Sequence, residues 1–203
     1  MDKRNLILIA FAISGFTALI YEVVWARPLQ LIFGSTIYAV STILTTFFAG
    51  FALGSYLFRN FADNSKNPLK LFALIELGIG LYGLIILWLF KSLPSIYLLI
   101  ANNSGIQFIQ FVLLFLVLII PATLFGATWP IVTKAYSKEE SIGKDSGNLY
   151  AFNSLGSFLG PIIAGFSLIP ILGIKTTSIL IAFLNMSIGT LILLNSRRKE
   201  NEF

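Results

Sequence analysis

Two carboxylates and a guanidinium stand out by where they fall. Glu22 and Glu76 interrupt the apolar runs LIYEVVWAR and LFALIELGIG, and Arg27 follows Glu22 by five residues. An ionisable side chain inside a bilayer costs several kcal/mol unless paired or hydrated, which makes each a candidate for function by default. One role is to compensate a cationic substrate; the other is to lock helices together through a hydrogen bond. Uncharged polar residues add two stripes at helical spacing, Tyr38, Thr42 and Thr45, and Tyr150, Asn153 and Ser157. Such stripes either bond neighbouring helices or line a cavity. The candidates for a substrate or ion path are therefore Glu76, Glu22, Arg27, Thr42, Asn153 and Ser157.

Other chemistries are excluded by composition. The 203 residues include no cysteine and no histidine, so thiolate and imidazole metal sites, cysteine nucleophiles and histidine acid/base catalysis are ruled out. No glycine-rich strand-to-helix loop, GKS/T loop or HExxH motif is present. No catalytic residue, metal site or cofactor is assigned.

The elements that must position these residues are membrane spans. The chain is 57% hydrophobic and 11% charged, against about 25% charged in soluble domains. Six runs reach the roughly 20 apolar residues a crossing requires: 5–26, 35–57, 69–89, 107–134, 149–169 and 176–194. The first starts like a signal peptide but is too long and lacks a cleavage site, so it reads as an uncleaved span. Pro121 and Pro130 predict a kinked or tilted fourth span. Residues 90–106 read as an interfacial stretch, because Pro94 and the Asn-Asn-Ser-Gly cluster break the apolar pattern.

Eleven of the fourteen Lys and Arg residues fall at the termini and in the 2–3 and 4–5 loops; Arg27, Lys91 and Lys175 fall on the other side. That bias places both termini in the cytoplasm; the expected location is the inner membrane of a prokaryote. The net charge of +5 is read as a topology signal rather than a nucleic-acid surface. At 1.5 Å per residue Glu76 lies about 10 Å from the cytoplasmic end and Glu22 about 26 Å, so the two should not share a site. Tyr21 and Trp25 suit an interfacial belt, with Arg27 as the partner of Glu22. Glu76 shares a helical face with Gly80 and is expected to point at the second span.

Helices in lipid associate where small residues let backbones approach. Gly50 and Gly54 provide this in the second span, Gly80 in the third, and Gly156 and Gly160 in the fifth. Glycine pairs in the second and fifth spans occupy matching places in two three-helix halves, which hints at an internal repeat.

The strings SGFTALIYEVVWAR, FGSTIYAVST, AGFALGSYL, ELGIGLYG, PATLFGATWP and LYAFNSLGSFLGPIIAGFSLIPILG resemble the membrane half of fused major-facilitator/spermidine-synthase-like proteins. The resemblance runs in order from Ser14 to about Gly173. The 2–3 loop RNFADNSKNP is similar to the acidic-basic loop of major facilitator transporters, with Asp63 in place. It departs where Arg59 replaces the leading glycine and Asn64 the basic residue after the aspartate.

The resemblance implies an all-α, six-helix fold like half of a major facilitator, set beside polyamine or S-adenosyl-dependent chemistry. In that family a soluble aminopropyltransferase-like domain commonly follows the membrane domain. Here the chain ends at Phe203 after SRRKENEF, so either a separate soluble synthase-like protein is its partner, besides the lipid bilayer, or the chain is a stand-alone membrane module. The expected function is to carry or position a small cationic, polyamine-like substrate beside that enzyme, with a homodimer enclosing the path. The alternative is an anchor or assembly scaffold whose glutamates only lock helices. An intrinsic membrane enzyme is the weakest reading.

Overall fold

In lipid an apolar segment must satisfy its own backbone, and a helix does so within one stretch of chain. The computed structural model describes residues 3–34, 37–100 and 106–200, and the regular structure among them is helical throughout. The helices are α1 (Lys3–Phe33), α2 (Ile37–Asp63), α3 (Pro68–Ile100), α4 (Ile106–Tyr136), α5 (Ile142–Ile163) and α6 (Ile169–Glu200). A single 3₁₀ turn, Glu139–Ser141, precedes α5, and a π-helical turn, Ala164–Leu168, joins it to α6.

Five helices are long and apolar enough to cross a membrane: Arg4–Ile32, Ile37–Asp63, Pro68–Leu98, Ile106–Tyr136 and Glu139–Ser196. This differs from six separate spans because the fifth and sixth apolar runs are joined in one helical stretch of 58 residues. Such a stretch measures about 87 Å at 1.5 Å per residue, against a hydrocarbon core of about 30 Å. It is interrupted at Gly173, where φ is +77° and ψ is 166°.

Helix ends also move outward. α1 continues through Pro28 to Phe33, and α3 continues through Pro94 to Ile100. A proline removes one backbone donor, and neighbouring helices make that loss tolerable in a bundle. Residues 90–100 are thus helix rather than an interfacial stretch; the Asn-Asn-Ser-Gly cluster lies outside the described residues.

Three helix pairs dominate the packing, α1 with α5, α2 with α4, and α3 with α6. The first two are parallel. Phe11 meets Asn153 and Phe16 meets Gly160, while Gly50 meets Ala122 and Gly54 meets Ala127. The third is antiparallel, since Ser178, Asn185 and Ser196 bond Gly83, Glu76 and Asn67 in turn. A Cβ on Gly156 would strike the Ala12 carbonyl oxygen, on Gly160 the Phe16 carbonyl at 2.5 Å, and on Gly54 the Thr123 carbonyl. Gly80 stands 2.7 Å, by the same measure, from the Ala182 carbonyl of α6.

Prolines supply the other cross-links. A helical proline leaves the carbonyl four residues earlier without its donor. Pro121 so frees Val117, whose carbonyl accepts the Tyr82 hydroxyl at 2.5 Å. Pro130 frees Gly126, whose carbonyl accepts from Ser55 Oγ at 3.0 Å.

Candidate functional site

The polar faces of α1, α2, α4 and α5 converge on a cavity of about 220 Å³. Ser14 and Gly15 of α1, Ser55 of α2, Thr128 of α4, and Asn153 and Ser157 of α5 supply its polar and open wall. Phe11, Phe51, Phe125 and Trp129 supply the aromatic wall. The Phe11 and Trp129 rings lie 5.4 Å apart, and Phe51 meets Phe125 edge-on at 6.4 Å. Among the described residues no charged side chain lines this cavity.

Local packing fixes the lining. The Asn153 Nδ2 group donates to the Phe11 carbonyl at 3.0 Å. Gly15 leaves the room this needs, because a Cβ there would stand 2.7 Å from Asn153 Nδ2 and 2.8 Å from Ser157 Oγ. Thr128 Oγ1 donates to the Phe125 carbonyl at 2.7 Å. Pro161 leaves the Ser157 carbonyl without its α-helical donor at the cavity wall.

Glu22 lines a second hollow of about 270 Å³ with Gln30 of α1, Val40, Ile43 and Leu44 of α2, and Pro161 of α5. Leu19 lines both hollows, so they adjoin. Glu22 is half-buried and Arg27 is exposed. The ion pair among the described residues is between Arg4 and Asp145, so Arg27 does not pair with Glu22. The helix runs on through Pro28, which keeps these i, i+5 side chains on different faces. Tyr21 and Trp25 do not form an interfacial belt. Both are fully buried and stack at 4.4 Å inside the bundle, where Gly83 leaves space for the Tyr21 hydroxyl.

Glu76 is fully buried and does not point at α2. Its Oε1 accepts from Ser14 Oγ of α1 at 2.5 Å, and its Oε2 accepts from Asn185 Nδ2 of α6 at 2.7 Å. The glycines of α2 face α4 instead, and the face that Glu76 shares with Gly80 belongs to α6. Thr42 is buried, and its hydroxyl donates to the Tyr38 carbonyl of its own helix at 2.7 Å, so it lines neither hollow.

At the end where α1, α3 and α5 begin, Arg4 bonds Asp145 and stacks over Tyr136, 4.5 Å from the ring centroid. Asp145 also accepts from the Lys138 backbone N–H at 3.0 Å and the Ser141 hydroxyl at 2.8 Å. It precedes the apolar run that begins at Leu149. The Lys138 N–H first, then Ser141 and Arg4, hold this carboxyl below its usual value despite its burial. Arg59 stacks on Tyr56 at 4.0 Å and shares a shallow hollow with Asp63, Lys134, Lys138 and Glu139.

Ser14, Asn185, Ser55, Thr128 and Asp145 escape a reading based on stripes and charges alone. Depth would have found two of them. Ser14 and Asn185 each lie nine residues from one end of their apolar run, 5–26 and 176–194, and Glu76 lies seven from the start of 69–89. At 1.5 Å per residue all three fall about 10 to 14 Å deep. Among the described residues no three Asp or Glu side chains gather as a metal site. No protein-family model, curated protein or solved structure matches this chain.

Proposed function

We propose that this chain is the membrane module of a spermidine-synthase-like system, carrying or positioning a small cationic, polyamine-like substrate beside a cytoplasmic partner enzyme. The observation that carries the reading is the adjoining pair of hollows on the α1 face. Among the described residues Glu22 offers a carboxylate with no cation paired to it in an apolar slot, and the adjoining cavity offers hydroxyls, an amide and aromatic faces. A flexible ammonium chain suits such a surface. One charged nitrogen pairs with the carboxylate, while another takes carbonyl and hydroxyl acceptors and ring faces. Compared with the sequence reading, the charge-compensating role rests on Glu22 rather than Glu76, with Asn153 and Ser157 retained as path residues.

The architecture we propose is six crossings with both termini in the cytoplasm of a prokaryotic inner membrane, as in half of a major facilitator. Three observations support it. The helical stretch Glu139–Ser196 is too long for one crossing and is broken at Gly173. Its two ends approach one end of the bundle, since Asp145 bonds Arg4 and Ser196 bonds Asn67. Exchanging the first three helices with the last three maps the pair α1–α5 onto α4–α2 and leaves α3–α6 unchanged. The glycine pairs follow the same exchange: Gly50 and Gly54 meet α4, and Gly156 and Gly160 meet α1. A 3+3 inverted repeat has this pattern. A second copy seated against the apolar outer faces of α2 and α5 would enclose the slot, which is the dimer we favour.

Uptake of radiolabelled spermidine into vesicles containing the purified chain tests the function. The parent should accumulate label, and Glu22→Gln should lower the initial rate about tenfold or more, the loss of one charge-assisted contact. Absence of amine-dependent signal in the folded parent would leave the anchor or scaffold reading in its place.

A further inference from the structure

Glu76 lies outside the cavity, yet one hydroxyl belongs to both. Ser14 lines the cavity, and its Oγ donates to Glu76 Oε1 at 2.5 Å. We propose that Glu76 is a proton-binding site of this protein, open to the cavity through Ser14.

A carboxylate is an expensive lock. Two amides would tie α1, α3 and α6 together equally well, without placing a charge in a medium of low dielectric. No cation offsets Glu76 among the described residues, and Tyr21 of α1 is the titratable group that faces it. From α6 it meets the neutral amide of Asn185, and α4 presents no charged group to it. The surroundings serve both protonation states. In the ionised state Ser14 and Asn185 Nδ2 donate to the two oxygens. Asn185 Oδ1 is buried and has no partner. Once Glu76 carries a proton, rotation of the amide by half a turn lets that oxygen accept from Oε2–H.

The transfer balances without any redox partner. The Ser14 Oγ–H bond breaks as an Oε1–H bond forms, Ser14 regains a proton from a hydronium ion in the cavity, which leaves as water, and a half-turn of the carboxyl about its Cγ–Cδ bond then carries the protonated oxygen to the Asn185 side. Release runs the same steps backwards. A cavity of about 220 Å³ with hydroxyl and amide groups in part of its wall has room for several waters at about 30 Å³ each. The inference does not depend on which cargo the cavity takes.

Infrared difference spectroscopy on the full chain in lipid nanodiscs, between acid and alkaline buffer and with no amine present, tests it. The parent should show the C=O band of a buried carboxylic acid that rises and falls reversibly with bulk pH. Glu76→Gln should remove that band. Glu76→Asp, which keeps a carboxyl, should move it. In Ser14→Ala the band should persist but follow a pH jump about tenfold more slowly, as expected for one lost link in the transfer. A parent without the band, or a band unchanged in both Glu76 variants, overturns the site. An unchanged rate in Ser14→Ala overturns the route. Neither result bears on amine uptake, so failure here is distinct from failure of the transport reading.

Discussion

Glu22 and Glu76 read alike in the sequence, each a lone carboxylate in an apolar run, but their surroundings divide their roles. Glu22 is half-buried beside the cavity with no ionic partner among the described residues, whereas Glu76 is fully buried between Ser14 and Asn185. Depth arithmetic separates the two correctly in height. It cannot say which neighbour each one faces, because azimuth depends on the packing of whole helices. The same limit explains Tyr21 and Trp25: aromatic side chains near a span end suit a lipid interface, but here both turn inward and are fully buried. A residue-level prediction follows for the cross-links. Tyr82→Phe removes the bond to the Val117 carbonyl, and with that carbonyl already lacking its helical donor the loss should be about 1 to 3 kcal/mol. Thermal unfolding in detergent, compared with Tyr38→Phe on the exposed face of α2, measures it.

Helix interfaces were the most legible elements, for a simple reason: a glycine pair at i, i+4 marks a place where backbones can touch, whatever the partner. What glycine spacing leaves open is the partner itself. Gly54 faces α4 and Gly156 faces α1, a choice made by the bundle. Gly156→Ala should destabilise the protein by about 1 to 3 kcal/mol, since its Cβ has nowhere to go against the Ala12 carbonyl. Gly147→Ala on the same helix meets nothing within 4 Å. It should be neutral or stabilising by up to about 1 kcal/mol, the helix-propensity difference. Gly173 differs again, because its φ of +77° and ψ of 166° fall in an essentially glycine-only region that strains an L side chain by about 1 to 3 kcal/mol. Gly173→Ala should therefore lower the melting temperature even though space is open around it. Prolines in the sequence suggest kinks, and those at 121 and 130 also free carbonyls that accept from hydroxyls on α3 and α2.

For the whole molecule, apolar run lengths located the helices within several residues at most ends, and charge bias proposed an orientation. The joined α5–α6 stretch and the helical 90–100 segment were not legible, since a helix can extend beyond lipid without changing composition. The Arg4–Asp145–Tyr136 cluster ties the start of α1 to the start of α5 and the end of α4. With the Asp145 carboxyl held below its unfolded value of 3.8, its contribution is complete above that pH and is lost as pH falls through the lower folded value. Asp145→Asn should thus be less stable than the parent at neutral pH, with the gap closing below about pH 4 in unfolding experiments.

An amine slot served by Glu22 is the centre of the proposed function. Equilibrium binding of radiolabelled spermidine to the full chain in nanodiscs, with an uncharged diol of similar length as competitor, tests that slot. Binding should be saturable, should not be displaced by the diol, and should fall about tenfold or more in Glu22→Gln, with Arg27→Gln close to the parent. Binding that is absent in the folded parent, or equal in the parent and Glu22→Gln, would contradict it.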